Sequence, residues 1–254
     1  IIDWYLGNLF EGMVDYMLKK FILKNYKNFK EEISINFEST AGYQFSTDCI
    51  TDGTISKMLI YGRNATGKTN LGKALVDICS TMFGGLRFVN RGVFLNADST
   101  DDSAVFSYEF EFDNKVLIYR YTRFSSQELK DEQLIVDGRT IFKCIFESRE
   151  FDFGNLKYIN AETANIDRYL QSMDMGEETE ETDVIQEPQL PFLRWLISNV
   201  AFNSDSSLIK LSNYVRRMIM ITASSIIPRP FRGNDSFYEF LEDPVGLKDF
   251  EDFL

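Results

Sequence analysis

Hydrophobic and polar residues alternate along much of the N-terminal part of the chain, which is the pattern of β-strands with one buried face. The alternation predicts an N-terminal hairpin in which residues 18–23 and 33–37 flank a turn at 25–29. Two further antiparallel hairpins are predicted, pairing 105–112 with 115–121 and 133–136 with 140–146. The second of these carries Asp137-Gly138, a type I′ turn signal.

Helical spacing replaces this alternation in two regions. One helix is predicted after a short apolar strand at 57–61, and Gly84-Gly85 ends it. Its apolar residues, three or four positions apart, are Leu71, Leu75, Ile78 and Met82. Helices are also predicted beyond Tyr158, where two amphipathic stripes indicate ordinary helix packing. The first stripe is Phe192, Trp195, Leu196 and Val200; the second is Leu208, Leu211, Tyr214, Val215, Met218 and Ile219.

These patterns predict an α/β fold with a division into three parts. Residues 17–158 form a lobe of antiparallel hairpins around the 57–84 region, and residues 159–254 form a helical region. Residues 1–16 precede Met17, a conventional start, so we expect them to be an extension of uncertain origin. The chain stops at 250–254 inside an amphipathic pattern without a helix-ending residue, which favours a fragment. The segment 176–187 holds six acidic residues and predicts a surface loop, with a magnesium or basic-partner site as the alternative.

Composition narrows the possible functions. The chain is 44% hydrophobic and carries a net charge of −12, so it can bury a core but should repel a nucleic-acid backbone. The absence of histidine excludes histidine-based acid/base catalysis and most transition-metal sites. Cys49, Cys79 and Cys144 have no CxxC spacing, which favours reduced thiols in a cytoplasm. No apolar run is long enough to span a membrane, and no signal peptide is recognisable.

One segment carries recognisable chemistry. Gly62-Arg63-Asn64-Ala65-Thr66-Gly67-Lys68-Thr69 matches the phosphate-binding pattern G-x-x-x-x-G-K-[ST] between a predicted strand and a predicted helix. The two glycines allow a tight turn, so that backbone N–H groups and the helix N-terminus can surround a phosphate. Lys68 would reach the β- and γ-phosphates of ATP, and the Thr69 hydroxyl would bind Mg²⁺.

Hydrolysis also requires an acidic residue at the end of an apolar strand to hold Mg²⁺. Asp137 ends such a run, but its neighbour Gly138 indicates a hairpin turn instead. The run 218–221 ends in Thr222 and carries no acid. We therefore expect the missing acid to lie past Leu254, and we expect this chain to bind ATP without efficient turnover.

Two motifs together resemble a known superfamily. Residues 21–29 contain Asn25-Tyr-Lys-Asn-Phe29, and residues 61–71 read Tyr-Gly-Arg-Asn-Ala-Thr-Gly-Lys-Thr-Asn-Leu. This pair resembles the opening of SMC/RecF-like ABC ATPases, in which an N-F-[RK]-x-F element precedes G-x-N-x-x-G-K-[ST]-N. Within that superfamily the chain is most similar to the prokaryotic OLD, Septu and abortive-infection ATPases, with weaker support from the hairpins at 106–121 and 133–146.

The resemblance implies the N-terminal lobe of a P-loop ABC-type ATPase head, followed by a helical insertion. It implies that Lys27 and Asn28 lie beside the nucleotide, that Asn64 shapes the loop, and that Lys68 and Thr69 hold phosphate and Mg²⁺. The expected nucleotide-binding residues are Lys27, Asn28, Gly62, Arg63, Asn64, Ala65, Thr66, Gly67, Lys68, Thr69 and Asn70. In the superfamily two heads close face to face around ATP, so a head-to-head homodimer and an effector nuclease or nucleic acid are the implied partners.

Alternatives stay open on several points. Lys27 and Asn28 also fit a role as simple turn residues. The family's signature motif is not found here, and Gln127 and Gln133 match its Q-loop glutamine by residue type only. A phosphotransferase would use the same loop, with Arg216-Arg217 or Arg229 and Arg232 as weak candidates for its lid. A nucleotide-sensing module without catalysis is the third hypothesis.

Overall fold

The computed structural model describes residues 2–5, 16–42, 47–84, 93–174, 189–218, 220–222 and 225–227. The strands are β1 (Ile2–Tyr5), β2 (Tyr16–Lys24), β3 (Ile33–Asn36), β4 (Ile50–Thr51), β5 (Thr54–Ile55), β6 (Lys57–Ile60), β7 (Ala104–Phe112), β8 (Lys115–Arg123), β9 (Leu129–Val136), β10 (Arg139–Ile145), β11 (Glu150–Asp152), β12 (Met220–Thr222) and β13 (Ser225–Ile227). The helices are α1 (Lys68–Leu75), α2 (Asp77–Phe83), α3 (Ile166–Asp174), α4 (Phe192–Asn199) and α5 (Ser207–Arg216), with 3₁₀ turns at Thr47–Cys49 and Leu156–Ile159.

A seven-stranded antiparallel sheet, ordered β11-β10-β9-β8-β7-β2-β3, forms the framework. The three hairpins predicted from the alternating pattern are confirmed as β2–β3, β7–β8 and β9–β10. The β7–β8 and β9–β10 hairpins have tight turns with positive φ at both central residues, 50° and 61° at Asp113-Asn114 and 48° and 74° at Asp137-Gly138. Positive φ at both central residues is characteristic of a type I′ turn. Hairpins favour this turn because its backbone twist matches that of the flanking strands.

The core lies between this sheet and the helices. Every second residue of β7 is buried, from Ala104 to Phe112. Tyr119 and Tyr121 of β8 are also buried. Phe110 contacts Tyr214 of α5 edge to face, with ring centroids 5.4 Å apart. Aromatic rings thus supply much of the contact between sheet and helices.

The single helix predicted from Leu71 to Met82 is wrong: two helices occupy this segment. Val76 interrupts them with φ −89° and ψ 1°, outside the helical region. Asp77 begins α2, and its carboxylate contacts Tyr121 and Arg123 of the sheet. The apolar spacing continues through the segment, but the helix does not, and Asp77 makes its polar contacts with the sheet directly after the break. The helix end predicted at Gly84 is confirmed.

The strand that precedes the glycine-rich loop, β6, lies outside the seven-stranded sheet and pairs with β1 in antiparallel register from Ile2↔Ile60 to Tyr5↔Lys57. Part of the expected extension is thus paired with β6. The acidic segment 176–187, Ile219 and residues 250–254 lie outside the described residues. Among the described helices, none has the length and apolar character needed to cross a membrane.

Candidate nucleotide-binding site

The glycine-rich loop connects the end of β6 to the first residue of α1, as its motif requires. Residues 61–66 are exposed, and α1 begins at Lys68. Gly67 has φ +101°, a conformation that side chains with a Cβ rarely adopt, and Ala65 has φ 64°. The left-handed residue directly before α1 turns the chain so that the first N–H groups of the helix face the loop.

Side chains of the loop bond back onto its own backbone. The Lys68 ammonium donates to the carbonyls of Gly62 at 2.9 Å and Arg63 at 2.8 Å, and the Thr66 hydroxyl donates to Arg63 O at 2.9 Å. A Cβ at Gly62 would lie 3.3 Å from the Thr66 hydroxyl, so compactness rather than positive φ explains this glycine. Lys68 therefore places its positive charge across the loop, where a bound phosphate would compete with the two carbonyls.

The turn at residues 26–29 packs against this loop. Tyr26 and Phe29 close it with two backbone hydrogen bonds of 2.9 and 2.8 Å. The Asn70 side-chain amide of α1 donates to Asn28 Oδ1. A Cβ on Gly67 would lie 3.1 Å from Asn28 Cβ and 3.2 Å from Phe29 Cζ. The structure thus brings Asn28 together with Gly67 and Asn70. The sequence linked the 26–29 turn to the glycine-rich loop only through a family resemblance.

A second segment, residues 93–96, holds the same turn in place. Lys27 N–H donates to Phe94 O at 3.1 Å, and Asn96 Nδ2 donates to Lys27 O at 2.6 Å. Asn25 is fully buried, and its amide donates to the carbonyls of Asp101 and Ser103 at 2.8 and 2.9 Å. Sequence reasoning missed residues 93–96, because contacts across about 70 positions leave no periodic signal.

Three lysines give the neighbourhood of α1 a positive charge. The Lys27 ammonium lies 3.2 Å from Val93 O. Partial burial lowers the pKa of Lys27 from its ordinary value, and the nearby charge of Lys73 lowers it further. The smaller contribution of Lys73 indicates that the two ammonium groups lie close enough to repel each other, and an anionic ligand between them would relieve that repulsion. Lys68 at the loop adds a third charge.

Several other candidate residues lie in different surroundings. Asp137 sits in the β9–β10 turn, where its carboxylate accepts from Val116 N at 2.9 Å, so it stabilises the hairpin. Gln133 of β9 donates to Thr140 Oγ1 at 3.1 Å on β10, and Gln127 N–H donates to Ser125 Oγ in the β8–β9 loop.

The candidate lid arginines are similarly placed away from the loop or cannot be described. Arg216 of α5 stacks over the Phe83 ring at the far end of α2, 4.6 Å from its centroid. Arg229 and Arg232 lie outside the described residues. The contact with Phe83 packs Arg216 of α5 against α2, and Arg217 is the C-terminal cap residue of α5.

The residues present fit a nucleotide phosphate, and they fit Mg²⁺ through one ligand. The left-handed Gly67, the N-terminus of α1 and Lys68 together supply the donors that a phosphate requires. Thr69 is exposed in the first turn of α1 and offers a hydroxyl to a metal. Within the described ranges, no group of three or more acidic or cysteine residues is arranged to hold a metal ion.

Comparison with known proteins agrees with this geometry. Residues 57–172 match the family model described as "AAA domain, putative AbiEii toxin, Type IV TA system". No curated protein matches the chain. The matched segment starts at β6, contains the whole glycine-rich loop and ends within α3. Loop geometry, mixed α/β architecture and family match together support a P-loop ATPase domain of the AAA type, with nucleotide binding as its indicated activity.

Proposed function

We propose that this chain is the ATP-binding lobe of an ABC/SMC-like ATPase that works as an ATP-driven switch. The observation that carries the proposal is the packing of the 26–29 turn against Gly67 and Asn70. A phosphate loop alone is common to many P-loop proteins, whereas this packing joins the two motifs on which the SMC/RecF resemblance rests.

In the proposed cycle, ATP binding closes two such lobes head to head and hydrolysis opens them. The switch gates an effector, either a nuclease or a nucleic-acid-processing protein in anti-phage defence of the OLD, Septu or abortive-infection kind. The matched family's description as a toxin of a toxin–antitoxin system supports a setting of this kind. The proposal includes a cytoplasmic location, which the free thiols favour.

The proposed division of the chain assigns residues 17–158 to the nucleotide-binding lobe and residues 159–254 to a helical region, whose described part also contains the strand pair β12–β13. Within the lobe, Lys68 is assigned to the β- and γ-phosphates and Thr69 to Mg²⁺. Lys27 and Asn28 are assigned to the flank of the nucleotide, because their turn lies directly on the loop. The remaining loop residues contribute backbone donors.

Isothermal titration with MgATP tests the binding site. Lys68→Ala should weaken ATP binding by roughly 10- to 150-fold, since one charge-assisted interaction is worth about 1.5–3 kcal/mol. Lys143→Ala is the matched control, because it removes the same charge from an exposed position on β10. Equal affinities for the two variants would show that the loop does not bind the nucleotide.

Thr69→Ala separates the metal from the phosphate. The variant should lose more affinity for ATP with Mg²⁺ than for ATP in the presence of a chelator, because the hydroxyl is assigned to the metal. Thr69→Ser keeps a hydroxyl and should restore the Mg²⁺-dependent part. A loss of the same size with and without Mg²⁺ would contradict the assignment.

Turnover tests whether this chain alone supplies the groups that hydrolysis requires. A steady-state phosphate-release assay, with Lys68→Ala as the control for contaminating ATPases, should show ATP bound but hydrolysed far below about one per second, the low end of typical enzymes. Rapid phosphate release would show that this chain also supplies the acidic residue that hydrolysis requires. Carboxylates such as Asp137 would then be the candidates.

A further inference from the structure

The P-loop helix α1 is only eight residues long, and its two ends are held by different polar contacts. At the N-terminal end, Asn70 contacts Asn28. At the C-terminal end, the Tyr108 hydroxyl of β7 donates to Ala74 O at 2.6 Å. Ala74 O also accepts a backbone N–H at the C-terminal cap, so the phenol adds a side-chain donor from the sheet to the end of the helix.

The junction between α1 and α2 is held by a second set of buried polar groups. Tyr121 of β8 donates to Asp77 Oδ2 at 2.8 Å, and Arg123 Nε lies 3.2 Å from the same oxygen. Arg123 also donates to Thr81 Oγ1 of α2 at 2.6 Å. We call Asp77, Thr81, Tyr108, Tyr121 and Arg123 the junction network.

The hydrogens of the two tyrosines can be assigned from the distances. Tyr108 and Tyr121 hydroxyl oxygens lie 3.3 Å apart, but each has a closer acceptor, Ala74 O or Asp77 Oδ2. Burial raises the pKa of both tyrosines well above the ordinary value, and the charge of Asp77 raises it further. Both phenols therefore remain protonated donors, one to each side of the break at Val76.

These contacts distinguish α1 from a helix held by apolar packing alone. Apolar contacts have no preferred direction, and they permit a short helix to rotate or slide by small amounts. A hydrogen bond at each end restricts both movements, because its distance and angle are directional. Lys68 lies about 10 Å along the axis from the last turn, at 1.5 Å per residue, so the orientation of α1 determines where Lys68 and Thr69 point.

We propose that Tyr108 is a positioning residue for nucleotide binding, acting with the junction network to fix the orientation of the P-loop helix. The proposal rests on the proposed function, because it assumes that ATP binds at Lys68. It assigns no contact between the network and the nucleotide.

Tyr108→Phe tests the proposal, and Tyr119→Phe is its matched control. Both tyrosines are fully buried on neighbouring strands, and each substitution removes one short hydrogen bond of a hydroxyl; Tyr108→Phe also removes the 3.3 Å contact with Tyr121. The Tyr119 hydroxyl, however, donates to Glu132 at 2.8 Å rather than to α1. MgATP affinity is measured by titration at a temperature at which urea denaturation shows all three proteins to be folded.

Tyr108→Phe should bind MgATP about 3- to 10-fold more weakly than the wild type, the range expected for one lost hydrogen bond. Tyr119→Phe should keep the wild-type affinity despite a similar loss of stability. Equal affinities for Tyr108→Phe and the wild type would overturn the proposal, and so would equal losses in both variants. A wild type that does not bind ATP would instead refute the proposed function.

A measurement on the wild type covers the case in which Tyr108→Phe does not fold. Hydrogen exchange is followed at residues 74–79 with and without MgATP. Slower exchange across the α1–α2 junction on ATP binding is expected, because the ligand and the network hold the same helix. Protection confined to the loop and the first turn of α1 would overturn the proposal.

Discussion

Replacing Glu132 by Gln should remove a pH dependence from the stability of the fold. Glu132 of β9 is fully buried, and its carboxyl accepts from Tyr119 Oη at 2.8 Å and from the backbone N–H of Phe192. Phe192 begins α4, whose N-cap Pro191 has no side-chain capping bond. A carboxyl group from a distant strand therefore caps this helix.

Burial raises the pKa of Glu132 from 4.5 to about 7, although the bonds from Tyr119 and from the α4 backbone act in the opposite direction. Below pH 4.5 the side chain is protonated in both folded and unfolded chains, so its contribution to stability is complete. As the pH rises towards 7, the unfolded chain releases the proton first, and the folded state loses stability. Above about pH 7 the loss levels off.

The size of this effect follows from the two pKa values. A rise in the pKa of Glu132 from 4.5 to about 7 corresponds to roughly 3.4 kcal/mol in total. Roughly 2.5 kcal/mol of it falls between pH 5 and pH 8. Cys144 and Tyr169 also face Glu132, but burial raises their pKa values, and these groups stay neutral throughout this window.

Urea denaturation of the wild type and Glu132→Gln at several pH values between 5 and 8 measures the effect. Gln keeps the size and an acceptor oxygen but cannot ionise, so the difference in free energy of unfolding should change by roughly 2.5 kcal/mol in favour of Gln as the pH rises. Glu109→Gln makes the same chemical change at a half-exposed position on β7 and is the control substitution. Parallel pH profiles for the wild type and Glu132→Gln would refute this reasoning.

Two further substitutions test the loop and the hairpin. Gly67→Ala should cost about 1–3 kcal/mol of stability and weaken ATP binding, because it combines φ +101° with a Cβ only 3.1 Å from Asn28 Cβ. Gly138→Ala, at φ +74° with nothing within 4 Å, measures the backbone cost alone, and equal effects would show that the contact with Asn28 is unimportant. Asp137→Ala should lower stability by about 1 kcal/mol through the lost bond to Val116 N and leave Mg²⁺-dependent ATP binding unchanged; a loss of that binding would restore Asp137 as a metal ligand.

The sequence was sufficient for the parts of the molecule that depend on local rules. Alternation of period two predicted the hairpins, because each strand buries one face, and the Asp137-Gly138 turn follows from the backbone conformations those residues tolerate. The loop at 62–69 was predicted by its motif, and Gly67 adopts the left-handed conformation that such a turn needs. In these cases neighbouring residues determine the outcome.

The parts that were missed depend on buried polar groups. Arg123 is 5% exposed and Glu132 is fully buried, although charged residues in strands ordinarily indicate the solvent face. Their partners Asp77 and Phe192 are distant in sequence, so no local sequence pattern predicts these contacts. Asp77 meets Arg123 directly after the break at Val76, which the apolar period crosses without interruption.

Net charge also gave only part of the answer about ligands. The chain carries −12 overall, which opposes binding to a long polyanion such as DNA, because such a ligand extends past many carboxylates. A nucleotide phosphate is small, and beyond about 8 Å physiological salt screens the distant charges. At the loop itself the helix N-terminus of α1 and the ammonium of Lys68 contribute positive potential, and Lys27 and Lys73 lie close enough to repel each other. A negative net charge is therefore compatible with binding of a tetra-anionic nucleotide at this loop.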